Sequence, residues 1–300
     1  MAQDGGSAAP RGEVIALLGA GSTMGFAMAR NMLKAGLRVR AWNRSADKAQ
    51  PLEQDGADIC ESPAEAAQGA SLIVTMLSNA DAVIETIEPA LQDTDGGVAW
   101  VQMSTIGEQG TERCIELARE HDVAFLDAPV LGTKGPAEQG KLVILASGPQ
   151  ELRERVQPML EAVGQRTMWV DDAAGAGTRL KLVANSWVVT VTEGAAETIA
   201  LAEGLGLDPS LLFDALDGGA LDLPYLRMKG NAMIERNFEP MFRLELAAKD
   251  ARLVAESAER HDLELPMLSA IAERMTAAAE QHGDKDMCAT YLTSAPGPPA

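Results

Sequence analysis

The sequence has few of the residues that build disulfide frameworks and metal sites. It contains three cysteines and three histidines in 300 residues. Cys60, Cys114 and Cys288 are widely spaced and odd in number, so they do not predict a disulfide framework and instead favour a reducing cytoplasm. Neither residue type shows C-x-x-C or H-x-x-x-H spacing. The sequence therefore predicts no structural zinc site and no other metal centre.

Long apolar runs and an excess of positive charge are also missing. No apolar run reaches the ~18 residues that a membrane-spanning helix requires, and residues 1–12 lack the apolar core of a signal peptide. We expect residues 1–12 to form a disordered leader and residues 294–300 a flexible tail. Lysine and arginine number 25 against 44 acidic residues, which gives a net charge of −19. Because phosphate binding requires a basic surface, this balance argues against a nucleic-acid partner.

The first half of the sequence alternates short apolar runs with helical patterns. Such an alternation with short connections predicts a mostly parallel sheet covered by helices on both faces. The predicted strands are VIALL (14–18), LRVRAW (37–42), SLIVTML (71–77), VAWVQM (98–103), VAFLDA (123–128), KLVILAS (141–147) and TMWV (167–170). The predicted helices are 24–35, 46–55, 63–69, 80–91, 107–121 and 149–163.

After about residue 177 the pattern becomes entirely helical. Apolar residues recur at helical spacing for roughly eight turns, and the run ends at Gly204 to Gly206, which suits a helix C-cap. Shorter helices are predicted at 209–217, 224–235, 241–260 and 266–282. The sequence pattern therefore predicts an α/β Rossmann-type N-terminal domain (13–174) and an all-α C-terminal domain (207–293), joined by a long helix (175–206).

A glycine-rich turn follows the first predicted strand, in the sequence VIALLGAGSTMG. Gly19 permits a sharp turn, and Gly21 permits the backbone to approach a pyrophosphate at the start of the next helix. In the usual G-x-G-x-x-G spacing, Met24 occupies the third glycine slot and Gly25 comes one residue late. The alternative is an ordinary glycine-rich loop. The candidate cofactor-binding residues of the turn are Gly19, Ala20, Gly21, Ser22, Thr23 and Met24.

The second predicted strand ends in the sequence AWNRS. An NAD-binding site usually has Asp or Glu here to bind the ribose 2′-hydroxyl, whereas this sequence has Asn43. The missing acid removes repulsion of a 2′-phosphate, Arg44 offers a planar guanidinium, and Ser45 offers a hydroxyl donor. The other interpretation is a solvated arginine at a strand end. The pattern favours NADP(H) over NAD(H).

The long helix carries Lys181 and Asn185, which share one face because they are four residues apart. Their apolar neighbours, among them Leu182, Val183 and Trp187, predict substantial burial. A partly desolvated lysine suits general acid/base work near neutral pH. The other interpretation is an ordinary lysine that reaches solvent from a helix start.

Three further segments follow strands or lie late in the helical region. They are MSTIGEQG (103–110), DAPVLGTKGPAEQGKLVILASG (127–148) and FRLELAAKDARLV (242–254). The second places two glycines and a proline directly beyond a strand end, where free backbone N–H groups would hold a carboxylate.

Together these segments resemble the β-hydroxyacid dehydrogenase family, the group that contains 3-hydroxyisobutyrate dehydrogenase and glyoxylate/succinic semialdehyde reductase. Four segments match in order and spacing across residues 13–293. They are the turn running into MGFAMARNMLKAG, the DAPV-x-G loop, the G-x-G-x-x-x-K-x-x-x-N helix (175–185) and the Lys249-Asp250 pair. The segments TKGPAEQGKLVILASG and AWNRS are most similar to the NADPH-dependent glyoxylate and succinic semialdehyde reductases.

The resemblance implies a 6-phosphogluconate dehydrogenase-like architecture and hydride transfer between NADPH and the carbonyl of a small aldehyde or semialdehyde acid, with β-hydroxyacid oxidation as the reverse. Lys181 would be the catalytic acid/base, and Asn185 would orient the substrate oxygen. The implied substrate-binding residues are Ser104, Leu131, Gly132, Thr133, Phe242 and Asp250. The further implied cofactor-binding residues are Met76, Leu77, Ser78, Thr105 and Lys249. The resemblance also implies a homodimer or homotetramer formed through the helical domain.

Two positions depart from the family pattern. The residue after Val130 is usually a serine that binds the substrate carboxylate, but here it is Leu131, which cannot donate a hydrogen bond. This favours a larger or less polar carbonyl substrate than glyoxylate. The other departure is the stretched glycine turn. Gly25 aligns with the third glycine, so we expect the inserted residue at Ser22-Thr23, whose N–H and hydroxyl groups would donate to the pyrophosphate.

Two alternative functions stay open. Imine reductases resemble this fold but usually replace the catalytic lysine by Asp or Tyr, so Lys181 argues against that activity while Leu131 leaves room for it. A non-catalytic NADPH-binding protein on the same fold would have lost the lysine or gained a chromatin-reader region. Turnover rates on a panel of substrates distinguish these functions.

Overall fold

The computed structural model describes residues 13–92, 94 and 97–295. The predicted leader and all but two residues of the predicted tail lie outside this part of the chain. The described residues form two compact units that divide after Lys181, inside a long helix.

The first unit alternates strands with helices, as the sequence pattern predicts. Its strands are β1 (Val14–Leu18), β2 (Arg38–Trp42), β3 (Asp58–Ile59), β4 (Leu72–Thr75), β5 (Ala99–Gln102), β6 (Ala124–Asp127), β7 (Val130–Leu131), β8 (Leu142–Ser147) and β9 (Gly164–Asp171). Its helices are α1 (Thr23–Lys34), α2 (Ala46–Ala49), α3 (Pro63–Ala67), α4 (Ala80–Leu91), α5 (Gly107–Glu120), α6 (Lys134–Glu138) and α7 (Arg153–Val163). Turns of 3-10 helix lie at Gln50–Asp55 and Gln150–Leu152.

Helix α8 (Ala176–Gly204) passes from the first unit into the second. The second unit continues with α9 (Leu211–Leu216), α10 (Pro224–Ile234), α11 (Leu244–Arg260), α12 (Pro266–His282) and a 3-10 turn at Met287–Thr293. Its described residues contain no strand, and one isolated bridge joins Arg243 to Asp286. An α/β domain followed by an all-α domain was predicted, and the structure confirms it.

The strands form one sheet in the order β3-β2-β1-β4-β5-β6-β8-β7, with β9 paired to β8. Neighbours from β3 across to β6 are parallel, whereas β8 runs antiparallel to β6 and β7. The strand order reverses at β1, which lies between β2 and β4. Ligands of such sheets bind at the carboxyl ends of the strands beside this reversal. The turns after β1, β2 and β4 therefore form the expected cofactor side.

Two apolar layers cover the two faces of the sheet because side chains alternate along a strand. In β1, Ile15 and Leu17 pack with Met28 of α1 on one face. Ala16 and Leu18 belong to the layer on the opposite face. The central strands are thus buried on both sides, which explains their continuous apolar sequences.

The structure differs from the sequence prediction mainly at short elements. Strands β3 and β7 have two residues each, helix α6 has five, and none of them was predicted. Segments this short show no periodicity. The predicted helices 46–55 and 149–163 each combine a 3-10 turn with an α-helix. By contrast, β1 and α4 have the predicted bounds.

No helix among the described residues is long and apolar enough to cross a membrane. The same residues contain no cluster of three or more His, Cys, Asp or Glu side chains that suits a metal ion.

All three cysteines are free and buried. Burial raises the pKa of the Cys114 and Cys288 thiols to about 12 and also raises the pKa of Cys60. Because the thiolate is the reactive form, we expect iodoacetamide to leave the native protein unmodified near neutral pH and to modify all three cysteines after denaturation. Intact-protein mass spectrometry checks this, and an adduct on the native protein would contradict the buried positions.

Candidate active site

The turn after β1 is built around Gly19. Its φ is +98°, and a Cβ at this position would lie 2.3 Å from the carbonyl oxygen of Met76. Only glycine meets both conditions. The amides of Gly19 and Ala20 donate to the carbonyl oxygen of Trp42 at 2.9 and 3.0 Å. The turn is therefore tied to the ends of β2 and β4, the two neighbours of β1.

Gly25 provides the close packing expected of a third glycine. A Cβ there would lie 2.3 Å from the carbonyl oxygen of Gly19, so α1 begins directly against the turn. Gly21 is enclosed as well, since its Cβ would lie 2.7 Å from side-chain atoms of Asn43 and Lys48. The altered spacing of the third glycine thus preserves close contact between α1 and the turn.

Ser22 is the N-cap of α1. Its Oγ accepts a hydrogen bond from the Gly25 amide at 3.0 Å and donates to the carbonyl of Gly19 at 2.8 Å. Its amide donates to the same carbonyl at 3.1 Å. The hydroxyl that the sequence analysis assigned to the pyrophosphate is therefore engaged within the turn. Thr23 and Met24 occupy the first two helical positions, whose amides have no helical acceptor and suit an anion.

The end of β2 presents Arg44 and Ser45 to solvent. The Asn43 side-chain Nδ2 donates to the Ser45 carbonyl oxygen at 2.9 Å, which turns the chain toward α2. The Ser45 hydroxyl does not cap that helix. A guanidinium and a hydroxyl thus lie at the strand end where an NAD site has a carboxylate.

Ser104 fixes the loop that follows β4. Its hydroxyl accepts a hydrogen bond from the Leu77 amide at 2.8 Å and donates to the Thr75 carbonyl at 3.3 Å. The residue is fully buried, whereas the neighbouring Thr105 is partly exposed and Ser78 is exposed. In this structure the Ser104 side chain shapes the Met76–Ser78 loop, and its contact with substrate stays a prediction.

The loop after β6 contains the short strand β7. Leu131 pairs with Val143 of β8 and is partly exposed. Gly132 has a φ of +135°, and Thr133 is the N-cap residue of α6 without using its side chain as a cap. The pairing of β7 with β8 therefore determines where these three residues lie.

The two glycines before Lys181 are needed for different structural reasons. Gly175 has a φ of +104°, which favours glycine. A Cβ on Gly177 would lie 2.2 Å from the Leu145 carbonyl oxygen, so α8 begins against the backbone of β8. This contact explains the G-x-G spacing upstream of the lysine.

Asp127, at the end of β6, is a residue to which the sequence analysis gave no role. It is fully buried, and its carboxylate accepts hydrogen bonds from the start of α8. Burial raises the pKa of this carboxyl group, while hydrogen bonds from Thr178, Ser147 and Gly175 oppose that rise. The sequence contains one signal for this role. The segment Gly-Ala-Gly at the start of the helix has no side chain that could cap it, so the cap must come from elsewhere.

Lys181 lies in the second turn of α8 and is only 9% exposed, and Asn185 is 4% exposed. Within the second unit, Asn185 Nδ2 donates to Asp250 Oδ2 at 2.7 Å. The other oxygen of Asp250 forms an ion pair with Lys249 Nζ at 2.8 Å. Because a carboxylate only accepts, this contact fixes which end of the Asn185 amide faces Asp250. Three predicted site residues thus form one connected group, and partly buried Phe242 precedes α11.

The first-unit candidates collect at one edge of the sheet. Apart from Leu131, which lies in β7, and Lys181 of α8, they follow β1, β2, β4, β5 and β7, and the parallel strands among these end on the same side. Phe242, Lys249 and Asp250 belong to the second unit.

Comparisons with known proteins cover nearly the whole chain. Residues 14–171 match the NAD-binding domain of 6-phosphogluconate dehydrogenase, and residues 175–293 match the NAD-binding domain of NADP-dependent 3-hydroxyisobutyrate dehydrogenase. Glyoxylate/succinic semialdehyde reductase 1 of Arabidopsis thaliana is 32% identical over 279 residues, covering 92% of this chain and 96% of that protein.

Solved structures show the same relationship. Mycobacterium tuberculosis 3-hydroxyisobutyrate dehydrogenase, solved with L-serine, is 27% identical with a TM-score of 0.85, covering 94% of this chain and 99% of that chain. An imine reductase from Pseudomonas sp. is 18% identical with a TM-score of 0.60, covering 95% and 99% of the two chains. At that identity the likeness extends to the fold alone.

Proposed function

The chain belongs to the β-hydroxyacid dehydrogenase family, and from this premise we propose that it uses NADPH to reduce the carbonyl of a small aldehyde or semialdehyde acid. Its family places it among the NAD(P)-dependent oxidoreductases that act on CH–OH and C=O groups. One observation carries the proposal. Lys181 is a buried lysine on a helix that begins against the backbone of Leu145 in β8 and Asp127 at the end of β6. The carboxyl end of β6 lies at the same edge of the sheet as the glycine turn after β1.

The residues present fit a dinucleotide. Gly19 and Gly25 leave no room for a Cβ, and Thr23 and Met24 are the first two residues of α1, where amides lack a helical acceptor and suit a phosphate. When bound, the nicotinamide supplies or accepts the hydride. Lys181 as an ammonium stabilises the charge that develops on the carbonyl oxygen and protonates it. In the reverse direction, neutral Lys181 removes the hydroxyl proton, and Asn185 orients the substrate oxygen.

The preference for NADP(H) over NAD(H) is part of the proposal. Its support is the end of β2, where Asn43 replaces the usual acid and where Arg44 and Ser45 are exposed. A guanidinium binds a phosphate with two parallel hydrogen bonds, and the absent carboxylate removes repulsion. Thr105 and the Met76–Ser78 loop, with Lys249 of the second unit, complete the proposed cofactor residues.

The proposed substrate is larger or less polar than glyoxylate. Leu131 stands where the family usually has a hydroxyl donor, and its partly exposed side chain adds apolar surface beside Gly132 and Thr133. Backbone N–H groups at these two residues would then bind the carboxylate. Ser104, Phe242 and Asp250 remain proposed substrate residues.

A substrate panel tests this function. Initial rates with glyoxylate, succinic semialdehyde and a cyclic imine are measured with NADPH and NADH in parallel. We expect the highest kcat/KM with succinic semialdehyde and NADPH. A preference for the imine would favour the imine reductase alternative, to which Leu131 lends some support. NADPH binding without turnover on a broad carbonyl panel would instead indicate a non-catalytic protein.

We also propose a homodimer or homotetramer that forms through the helical unit. Helix α8 exposes an apolar stripe at helical spacing, with Val183, Trp187 and Leu201 each more than 60% exposed. Nothing lies within 4 Å of a Cβ placed on Gly194 in the middle of this stripe. An exposed apolar face of this kind marks an association surface.

A cytoplasmic location is proposed as well, because the three free thiols suit a reducing compartment.

Trp187→Glu is expected to convert the oligomer to a 31.6 kDa monomer, since it places a charge within the apolar stripe. Light scattering coupled to size-exclusion chromatography measures the mass. Met168→Glu adds the same charge at an exposed apolar side chain of β9 and should leave the mass unchanged. A monomeric wild-type protein would contradict the proposal.

A further inference from the structure

The start of α8 is capped by the sheet and not by its own sequence. The residue before the helix is Gly175, and the helix begins Ala176-Gly177, so none of these three residues has a side-chain oxygen that could cap the helix. Buried first-turn amides require acceptors. Two fully buried side chains supply them, Asp127 at the end of β6 and Ser147 at the end of β8.

These two side chains accept three amide hydrogen bonds. Asp127 Oδ2 accepts from the Thr178 amide at 2.7 Å and the Gly175 amide at 3.2 Å. Ser147 Oγ accepts from the Gly177 amide at 2.8 Å and donates to Asp127 Oδ2 at 3.1 Å. Asp127 and Ser147 also face each other directly in the antiparallel pairing of β6 with β8. The cap is therefore formed by side chains at the paired ends of two strands.

Thr178 connects the cap to the next turn of the helix. Its hydroxyl donates to Asp127 Oδ1 at 2.8 Å and lies 2.9 Å from the hydroxyl of Thr111 in α5. Thr178 and Lys181 are three residues apart and therefore share a helix face. A displacement of Thr178, or fraying of the helix at that residue, would therefore also displace Lys181.

We propose that Asp127 and Ser147 are positioning residues for Lys181. By holding the first turn of α8 against the ends of β6 and β8, they determine where the lysine side chain lies relative to the carboxyl edge of the sheet. The inference rests on the proposed catalytic role of Lys181. Since a misplacement of about 1 Å costs ~10²-fold in rate, a cap of this kind acts on turnover and not only on folding.

Asp127→Asn is the main test. It preserves the shape of the side chain but removes its negative charge and one of its two acceptor oxygens. If the remaining oxygen accepts from the amides of Thr178 and Gly175, these hydrogen bonds lose their charge assistance, and the Thr178 hydroxyl loses its acceptor. We expect kcat to fall at least ~10-fold, on the scale of a misplaced acid/base group, with KM for NADPH unchanged. The kinetic isotope effect on kcat with C4-deuterated NADPH should rise, because slower hydride transfer then limits turnover. Ser147→Ala and Thr178→Val are milder changes, and they decide the question if Asp127→Asn does not fold.

Ser62→Ala is the matched control. Ser62 Oγ caps α3 by accepting from the Glu65 amide at 3.0 Å, and no candidate site residue lies on that helix. This variant should lose thermal stability while keeping the wild-type kcat and isotope effect. If the Asp127, Ser147 and Thr178 variants unfold at a lower temperature but keep the wild-type kcat and isotope effect, the positioning role is overturned while the proposed function stands. A wild-type protein without turnover would overturn the proposed function, and the inference with it.

Discussion

Lys181→Ala is expected to lower kcat by at least ~10²-fold, the usual result of removing a general acid/base, while NADPH still binds. The reason is that no other group is proposed to protonate the carbonyl oxygen as hydride arrives. The lysine lies on α8, whereas the glycine turn that would hold the dinucleotide lies between β1 and α1. Steady-state kinetics with succinic semialdehyde gives kcat, and fluorescence titration gives the affinity for NADPH.

Two further variants make this result specific. Lys181→Met keeps most of the aliphatic chain of a residue that is only 9% exposed, so a loss equal to that of Lys181→Ala would identify the amine and not the packing. Lys34→Ala removes an exposed lysine from the end of α1 and should leave kcat unchanged. Near-wild-type turnover in both Lys181 variants would refute the assignment.

Arg44→Ala is expected to raise KM for NADPH by ~10-fold or more, the scale of a lost hydrogen bond to a charged group. Kinetics with NADH should change little, because that cofactor has no 2′-phosphate for the guanidinium to bind. Adding Asn43→Asp introduces a carboxylate that repels the 2′-phosphate and binds the 2′-hydroxyl. The double variant should therefore prefer NADH. Paired kcat/KM values at one ionic strength measure the change.

Arg38→Ala is the control for this experiment. Arg38 begins β2, is exposed, and lies at the end of the strand opposite Arg44. Its removal changes the net charge equally without touching the proposed phosphate site, so the cofactor preference should not move. A wild-type enzyme that prefers NADH would contradict the interpretation of Asn43 and Arg44.

Much of the fold was predictable because its strands and helices are long enough to show a period. The run VIALL is β1, and residues 80–91 are α4, because burial on defined faces leaves a clear apolar pattern. The grouping of site segments followed from topology, since parallel strands end at one edge. The two-residue strand β7 was not predictable. Its pairing with β8 is a contact between separate segments, not a local preference.

The hydrogen bonds that an individual side chain makes were harder to predict than the place of its residue in the fold. The hydrogen bonds by which the Ser22 hydroxyl caps α1 and bonds to Gly19 were not predicted, and its donation to the pyrophosphate stays a prediction. The hydrogen bond by which the Ser104 hydroxyl holds the loop after β4 was not predicted, and its contact with substrate stays a prediction. Asp127 received no role, because its partners at the start of α8 are 48 and 51 residues away in sequence. Local pattern cannot show which of several nearby acceptors a hydroxyl or carboxylate will satisfy.

The central claim is hydride transfer from NADPH to a substrate carbonyl. Its most direct test incubates the wild-type protein with succinic semialdehyde and NADPH deuterated at the transferable C4 position, followed by mass spectrometry of the hydroxyacid product. We predict that the deuterium appears on the former carbonyl carbon, with oxidised cofactor formed in equal amount. Absence of product, or product without deuterium, would contradict the account.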